Sequence, residues 1–343
     1  MATTKLNNGQ LPTTLSSKTI DSSNTINTDL TKLSITGGTN GQVLSTNGSG
    51  SLSWATVGGV QTQVDTFTSS GTWTKPAWAK RVDVYLLSGG CGGNSGGRRA
   101  TTTTRTSGAG GTAGTITYGT FNASSLGSTE SITIGAGGTG GASVTTNDTA
   151  GNFGTVGGRT LFGSHFQAPT TVVDTVNPAS PSTVNTLFSN QTLSHFLGIQ
   201  PPLGGVGNTD GGAAQVSDFQ KAGGGGAFQS ANITTTKAGR AASSSYSNGS
   251  TFGYYQTQTT GTAGGTNGGN GSDGTGSVTA FGVLTLGNGG GGGSYATGQA
   301  TGRGGHASNY GAGGGGGAAS DNGFASGAGG NGSGGMAVVI SIG

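Results

Sequence analysis

The sequence predicts an all-β protein with irregular structure, in which short strands frame a glycine-rich polyglycine II lattice and helix is essentially absent. Three observations lead there. Gly makes up 77 of the 343 residues, against about 7% in an average chain. Leu, Ile, Val and Phe total 57, too few for an ordinary globular core of this length. Charge is equally scarce, 14 Lys and Arg against 11 Asp and Glu for a net +3, so the high-charge half of the disorder signature is missing. Helix is unfavourable because Gly, Thr, Ser and Asn dominate and no 3.6-residue apolar period persists.

Residues 1–62 hold only eight Gly, with apolar residues as isolated as Leu15, Ile20, Leu30 and Ile35. Such spacing does not close a monomeric core. The segment reads as an extended oligomeric shaft that attaches and trimerises, identical chains pooling sparse apolar side chains at a shared axis. Asn40-Gly41-Gln42-Val43-Leu44, followed by Asn47-Gly48 and Trp54, is hairpin chemistry. Residues 63–343 form the glycine-rich distal domain. Its clearest strand is 81–87, where Val82, Val84 and Leu86 share one face; further strands are expected at 115–121, 131–134, 278–286 and 336–342.

Gly occupies 23 of the 49 residues from 287 to 335, with uninterrupted runs at 289–293 and 313–317 and another at 223–226. Such composition often marks a flexible linker. Here the runs lie between the strands at 81–87 and 336–342, where a linker would join nothing. Polyglycine II accounts for them: three residues per turn, about 3.1 Å rise and no internal hydrogen bonds, so every N–H and C=O points sideways to a neighbouring rod. Only a hydrogen on Cα lets the backbones approach that closely. Lateral hydrogen bonds and Cα–H···O contacts must offset the entropy of ordering Gly. Ala227, Tyr295, Ala318 and Ala319 interrupt the runs and offer side chains to cap the packed faces.

The interval 164–203 contains one Gly, Gly198, and five of the seven prolines. It reads as an insertion with its own character, and loops on a rigid scaffold are where binding usually resides. Candidate receptor-binding residues there are His165, Phe166, Phe188, His195 and Phe196; a second aromatic stretch, 246–255, adds Phe252, Tyr254 and Tyr255. Arg98, Arg99 and Arg105 flank four Thr in an early loop and suit phosphate or acidic sugar on a bacterial envelope.

Catalysis is not expected, and neither a cofactor nor a metal is implied. G-x-G-x-x-G recurs as often as chance produces at this Gly content, and no Gly-Lys pair exists for a Walker A loop. A glycosidase needs two opposed carboxylates, whereas Glu130 is the sole Glu among scattered Asp. His165, His195 and His306 lack a second ligand at helical or strand spacing. Cys91, the single cysteine, reads as a small packed thiol. Three surplus charges do not make a nucleic-acid surface. No apolar run approaches the roughly 20 residues that span a bilayer, so membrane insertion is not expected and the product is expected to be soluble.

These features resemble the glycine-rich domain of bacteriophage tail fibres and adhesins. Its Phe-Thr-x-x-Gly-x-Trp-x-x-Pro opening is met at 67–76, its Val-rich strand and Gly run at 81–93, its strand, turn, strand and Gly-Ala-Gly-Gly at 114–138, and its closing apolar strand at 336–342. The likeness covers about 38–163 and 204–343; the interval 164–203 departs from it. The resemblance implies a virion protein, commonly trimeric, docked on other tail or baseplate proteins through its N-terminal region. Its tip loops would touch a host-surface polysaccharide or outer-membrane receptor, and no catalytic residue carries over. The alternatives are a structural or ice-binding polyglycine protein, which requires a flat face of regularly spaced Thr or Ala, or a depolymerase tailspike.

Overall fold

The computed structural model describes residues 37–49, 51–56, 58–169, 172–173, 181–182, 196–199, 223–227, 238–239, 264–265, 268–280 and 282–343. Of the shaft expected at 1–62, residues 1–36 lie outside them. Two compact units divide the chain, Met1–Gly59 and Val60–Gly343. The strands, in chain order, are β1 (Gln42–Thr46), β2 (Leu52–Thr56), β3 (Thr62–Phe67), β4 (Gly71–Thr74), β5 (Arg81–Leu87), β6 (Arg98–Arg99), β7 (Ile116–Asn122), β8 (Thr129–Thr133), β9 (Thr160–Phe162), β10 (Phe166–Ala168), β11 (Val172–Val173), β12 (Pro181–Ser182), β13 (Phe196–Ile199), β14 (Ser277–Ala280), β15 (Leu284–Gly287), β16 (Ser320–Asp321) and β17 (Met336–Ile342). One 3-10 turn, Ala123–Ser125, is the sole helical element among the described residues, and none there is long and apolar enough to cross a membrane.

In the first unit β1 and β2 form the expected antiparallel hairpin, with Leu44 opposite Trp54. Asn47 organises its turn, the Oδ1 accepting from the N–H of Ser49 and of Ser51, and Gly48 takes a positive φ of 80°. The Trp54 ring covers Gly38 so closely that a Cβ there would overlap it.

Two antiparallel sheets of the second unit share a core. One has the order β13-β7-β5-β17-β3 and the other β10-β9-β8-β4. Between them lie Trp73, Val82, Val84, Leu86, Phe121, Ile132, Phe162, Phe166 and Val339, all buried. Trp73 settles its one polar atom by donating from Nε1 to Asp65 Oδ2 at 3.1 Å. On the other face of the five-stranded sheet, Leu87, Ile116, Met336 and Val338 are covered by Leu284 and Leu286. The single strand expected at 278–286 is the hairpin β14–β15, reversed at Gly282 with φ +71°. An apolar alternation continues in step through a tight turn, so periodicity alone does not reveal the break. The second unit begins at Val60, and β3, starting at Thr62, pairs with β17 inside it.

Five lattice rods are direct continuations of strands in the two packed sheets. β5 runs into 88–97, 106–115 into β7, β8 into 135–144, 149–158 into β9 and 325–335 into β17. Thr160 stitches the junction: its Oγ1 donates to Leu87 O at 2.7 Å and accepts from Gly135 N.

Segment 88–97 displays the threefold screw of polyglycine II residue by residue. The N–H groups of Ser88, Cys91, Asn94 and Gly97 donate to the carbonyls of Thr115, Thr112, Ala109 and Thr106. Those of Gly89, Gly92, Ser95 and Arg98 donate to Gly158, Thr155, Asn152 and Thr149, and those of Gly90, Gly93 and Gly96 to Ser333, Gly330 and Gly327. Every third residue addresses the same neighbour. Segment 311–320 sits at the centre. It bonds to 88–97 (Gly314 N to Cys91 O), 106–115 (Gly111 N to Gly314 O), 325–335 (Gly330 N to Gly315 O), 301–308 (Gly315 N to Gly305 O), 223–227 (Gly316 N to Gly224 O) and 287–295 (Gly290 N to Gly313 O). These are the six neighbours of hexagonal packing. Among the described residues the rods stack in three layers: 135–144, 325–335, 301–308 and 268–276; then 149–158, 88–97, 311–320 and 287–295; then 106–115 and 223–227.

The number of Gly per triplet follows the number of covered faces. In the enclosed run 313–317 every residue is Gly, and a Cβ on Gly313, Gly314 or Gly315 would overlap the carbonyl oxygen of Gly111, Gly330 or Gly291 respectively. In segment 135–144 two faces are covered: Gly135, Gly138 and Gly141 meet 149–158, while Gly137 and Gly140 meet 325–335. The third position carries Ala136, Thr139 and Ala142, all exposed. Ala227, Tyr295 and Ala318 form one buried cluster, the expected capping of the Gly runs by side chains. Cys91 is buried as a packed thiol beside the Thr112 hydroxyl, 3.0 Å away.

Gly315→Val forces two methyls and a Cβ into main-chain atoms that cannot rotate away. We expect a loss of at least about 3 kcal/mol, measured by chemical denaturation. Ala142→Val, on the exposed face, should stay within about 0.5 kcal/mol of the parent.

Candidate functional site

At the end of the rods opposite the sandwich, the turns 98–106, 145–148, 295–301 and 320–325 converge. Asp321 is their hub. Its Oδ1 accepts from Arg105 Nη1 at 2.6 Å and from the Tyr295 hydroxyl at 2.8 Å, and its Oδ2 accepts from Gly298 N at 3.3 Å. The Arg105 side chain is 0% exposed and that of Asp321 6%, so the ion pair is desolvated and its geometry has to be good. The guanidinium also lies over the Tyr295 ring, 5.4 Å from the centroid. Burial, reinforced by the Asp321 carboxylate, pushes the Tyr295 phenol above its ordinary range.

A second, exposed network joins the same turns. Asp148, at φ 56°, donates its N–H to Asn322 Oδ1, and its Oδ1 accepts from Asn322 Nδ2 and from Ala100 N. Asn147 Oδ1 accepts from Gly323 N. Both Asn147 and Asp148 are exposed, as are residues 101–104 and Phe324, a large apolar side chain left 36% exposed. The turns thus present amides, hydroxyls, a carboxylate and one aromatic face on fixed backbone, a set suited to hydrogen bonding and stacking on a polar ligand.

Several sequence candidates have other employment. Arg105 is consumed by Asp321. Arg98 is buried and donates from Nη1 to Thr145 O, which ties one turn to the next. Neither guanidinium is offered to an outside anion, a correction whose reason is burial at the point where several rods end. Arg99 remains half-buried, paired through β6 to Asp321 of β16. Phe166 is a core residue, 4% exposed, edge-on to Phe121 at 6.1 Å; the sandwich needs an aromatic there, so it is not a contact residue. His165 turns inward, with Nε2 3.1 Å from Glu130 Oε1 and its ring against Phe121 and Phe162.

Phe196 opens β13, which pairs with β7. Phe188, His195, Phe252, Tyr254 and Tyr255 lie outside the described residues. The described strands β10 and β13 of the interval 164–203 belong to the sandwich: β10 pairs with β9, and β13 with β7. These strands therefore sit at the end away from the convergent turns. The residues that sequence reasoning missed, Asn147, Asp148, Asn322 and Phe324, share one signal. Each sits where a Gly triplet pattern breaks off and resumes.

Among the described residues, a regular row of Ala and Thr, as an ice surface requires, occurs on rod 135–144 and does not extend to its neighbours. Ala136, Thr139 and Ala142 recur every third residue, but the neighbouring rods carry Asn331, His306, Arg303 and Asp273. Those side chains serve the lattice: Asn331 Oδ1 accepts from Gly140 N, His306 Nδ1 from Asn331 N and Asp273 Oδ1 from His306 N. Partial burial opposes ionisation of Asp273, but the His306 N–H and then Arg303 outweigh it and hold its carboxyl below the usual range.

Removing the Asp321 carboxylate strands the buried Arg105 charge. We expect Asp321→Asn to cost about 3 to 5 kcal/mol, whereas a paired Arg105→Met/Asp321→Leu change recovers most of it. Denaturant titration of the two variants distinguishes these outcomes.

No protein-family model matches the chain, and no curated protein matches it.

Proposed function

We propose that this chain is a structural subunit of a bacteriophage tail fibre. It attaches to other tail or baseplate proteins through residues 1–62, assembles as a homotrimer and presents turns to a polysaccharide or outer-membrane receptor on the host cell. The observation that carries this reading is the polarity of the second unit. The chain enters it through β3 in the sandwich, and the exposed polar turns gather at the far end of a rigid lattice. Glycine offers a ligand no side chain and the enclosed main chains bond to one another, so this reading assigns recognition to the turns. Rigid support limits the entropy lost on binding, and repeated subunits convert weak contacts into avidity. The side-chain-rich intervals 164–203 and 246–255 are further recognition segments in this proposal. The protein binds without turnover.

Two measurements test it. The polypeptide should co-purify with phage particles, and native mass should correspond to three chains; a monomer, or absence from particles, would sink the fibre assignment. Replacing residues 101–104 with Gly-Ser-Gly-Ser together with Phe324→Ala should slow adsorption to host cells by about tenfold or more, with mass and thermal unfolding unchanged. Full adsorption would exclude these turns, and the same exchange in 164–203 and 246–255 then locates the receptor surface.

A further inference from the structure

Rod 149–158 lies at a margin of the lattice. Its Gly151, Gly154 and Gly157 face the carbonyls of Ser95, Gly92 and Gly89 in rod 88–97, and its other flank bonds to 135–144 through Thr155 and Gly158. The remaining positions of its triplets are Ala150, Phe153 and Val156, all exposed. Phe153 is 59% exposed and Val156 44%, the only large apolar side chains so exposed along the rods among the described residues. Their spacing of three residues puts both on one side of the screw.

At several other positions along the described margins a main-chain N–H bonds to a side chain: Gly140 N donates to Asn331 Oδ1, Asn331 N to His306 Nδ1 and Arg303 N to Asn270 Oδ1. Within rod 149–158 itself, Gly154 N donates to Asn94 Oδ1. The main-chain N–H and C=O of Phe153 and Val156 have no partner among the described residues. This margin therefore keeps the groups that would bond another rod. Open backbone edges of this kind template association with further chains. At the enclosed glycines a carbonyl oxygen occupies the place of a Cβ, whereas Phe153 and Val156 project β-carbons from the open side of this margin.

We infer that Phe153 and Val156 terminate the polyglycine II lattice at this margin, and that with Gly at both positions the margin becomes a docking edge for a second copy of this chain. The second copy is the occupant because its own 149–158 margin carries the same unpaired groups. Antiparallel apposition of two identical rods is closed by a twofold axis, and antiparallel bonding already joins 149–158 to 88–97. The two side chains hold a neighbour out of hydrogen-bonding range and leave the edge to water.

Sedimentation velocity on the full chain tests this over a range of concentrations. Phe153→Gly/Val156→Gly should at least double the weight-average mass relative to the parent assembly, increasingly so with concentration. Phe153→Ser/Val156→Thr removes the apolar surface but keeps both β-carbons, and should retain the parent mass. Val156→Gly alone, which disturbs folding less, should associate to an intermediate extent. Far-UV circular dichroism identical to the parent establishes that a variant is folded. A folded Gly variant of parent mass would overturn the inference. So would association of the Ser/Thr variant to the same extent as the Gly pair, or a Ser/Thr variant lighter than the parent, which would assign the two side chains to an existing subunit interface.

Discussion

Everything in the second unit depends on one distance, the separation at which a polyglycine II rod can hydrogen-bond sideways to another. At that separation the space a Cβ would need at the enclosed glycines is already filled by a neighbour's carbonyl oxygen, as Gly315 and Gly291 illustrate. A methyl group is excluded by main chain, which has no rotamer to adopt. The Gly content is therefore a steric necessity, and the entropy lost in ordering Gly is offset by bonds that nearly every residue of the interior makes. Few apolar side chains are needed because the lattice interior is made of backbone.

That constraint explains how much of the fold was legible. Gly-Gly-Cys-Gly-Gly at 89–93, Gly-Ala-Gly at 135–137 and the unbroken run 313–317 differ in sequence as their rods differ in enclosure. The strands at 81–87 and 336–342 announced themselves by apolar content, because they are buried on both faces between β7 and β3. The sheet containing β4, β8, β9 and β10 was harder to see. β9 and β10 have three residues each, too short for any period to register.

The candidate site was legible in outline only. That recognition belongs where the lattice stops follows from the chemistry of Gly, but which side chains face outward there does not follow from residue type. Arg98 and Arg105 look like solvent-facing cations in a Thr-rich loop, yet a turn joining two enclosed rods is itself drawn inward. Arg105 is then neutralised by Asp321, more than two hundred residues later in the chain. Ser-His-Phe at 164–166 misleads for the same reason: its turn is tight, so Phe166 returns to the aromatic cluster from which Phe162 departs. Long-range pairing of this kind leaves no local mark in a sequence.

The position of β17 has a consequence for how the molecule comes to be folded. Met336 stands opposite Leu87 and Ile342 opposite Thr62, so the strand that joins β5 to the edge strand β3 is supplied by the latest-synthesised member of the sheet. The loop closed by this pairing spans most of the unit, and contacts of such separation make for slow folding. Until residues 336–342 leave the ribosome, β3 and β5 have no strand between them and the rods have no fixed end from which to align. Nascent chains shorter than this should expose unpaired Gly-rich backbone, which makes the interval before residues 336–342 emerge the period when chaperone protection matters most.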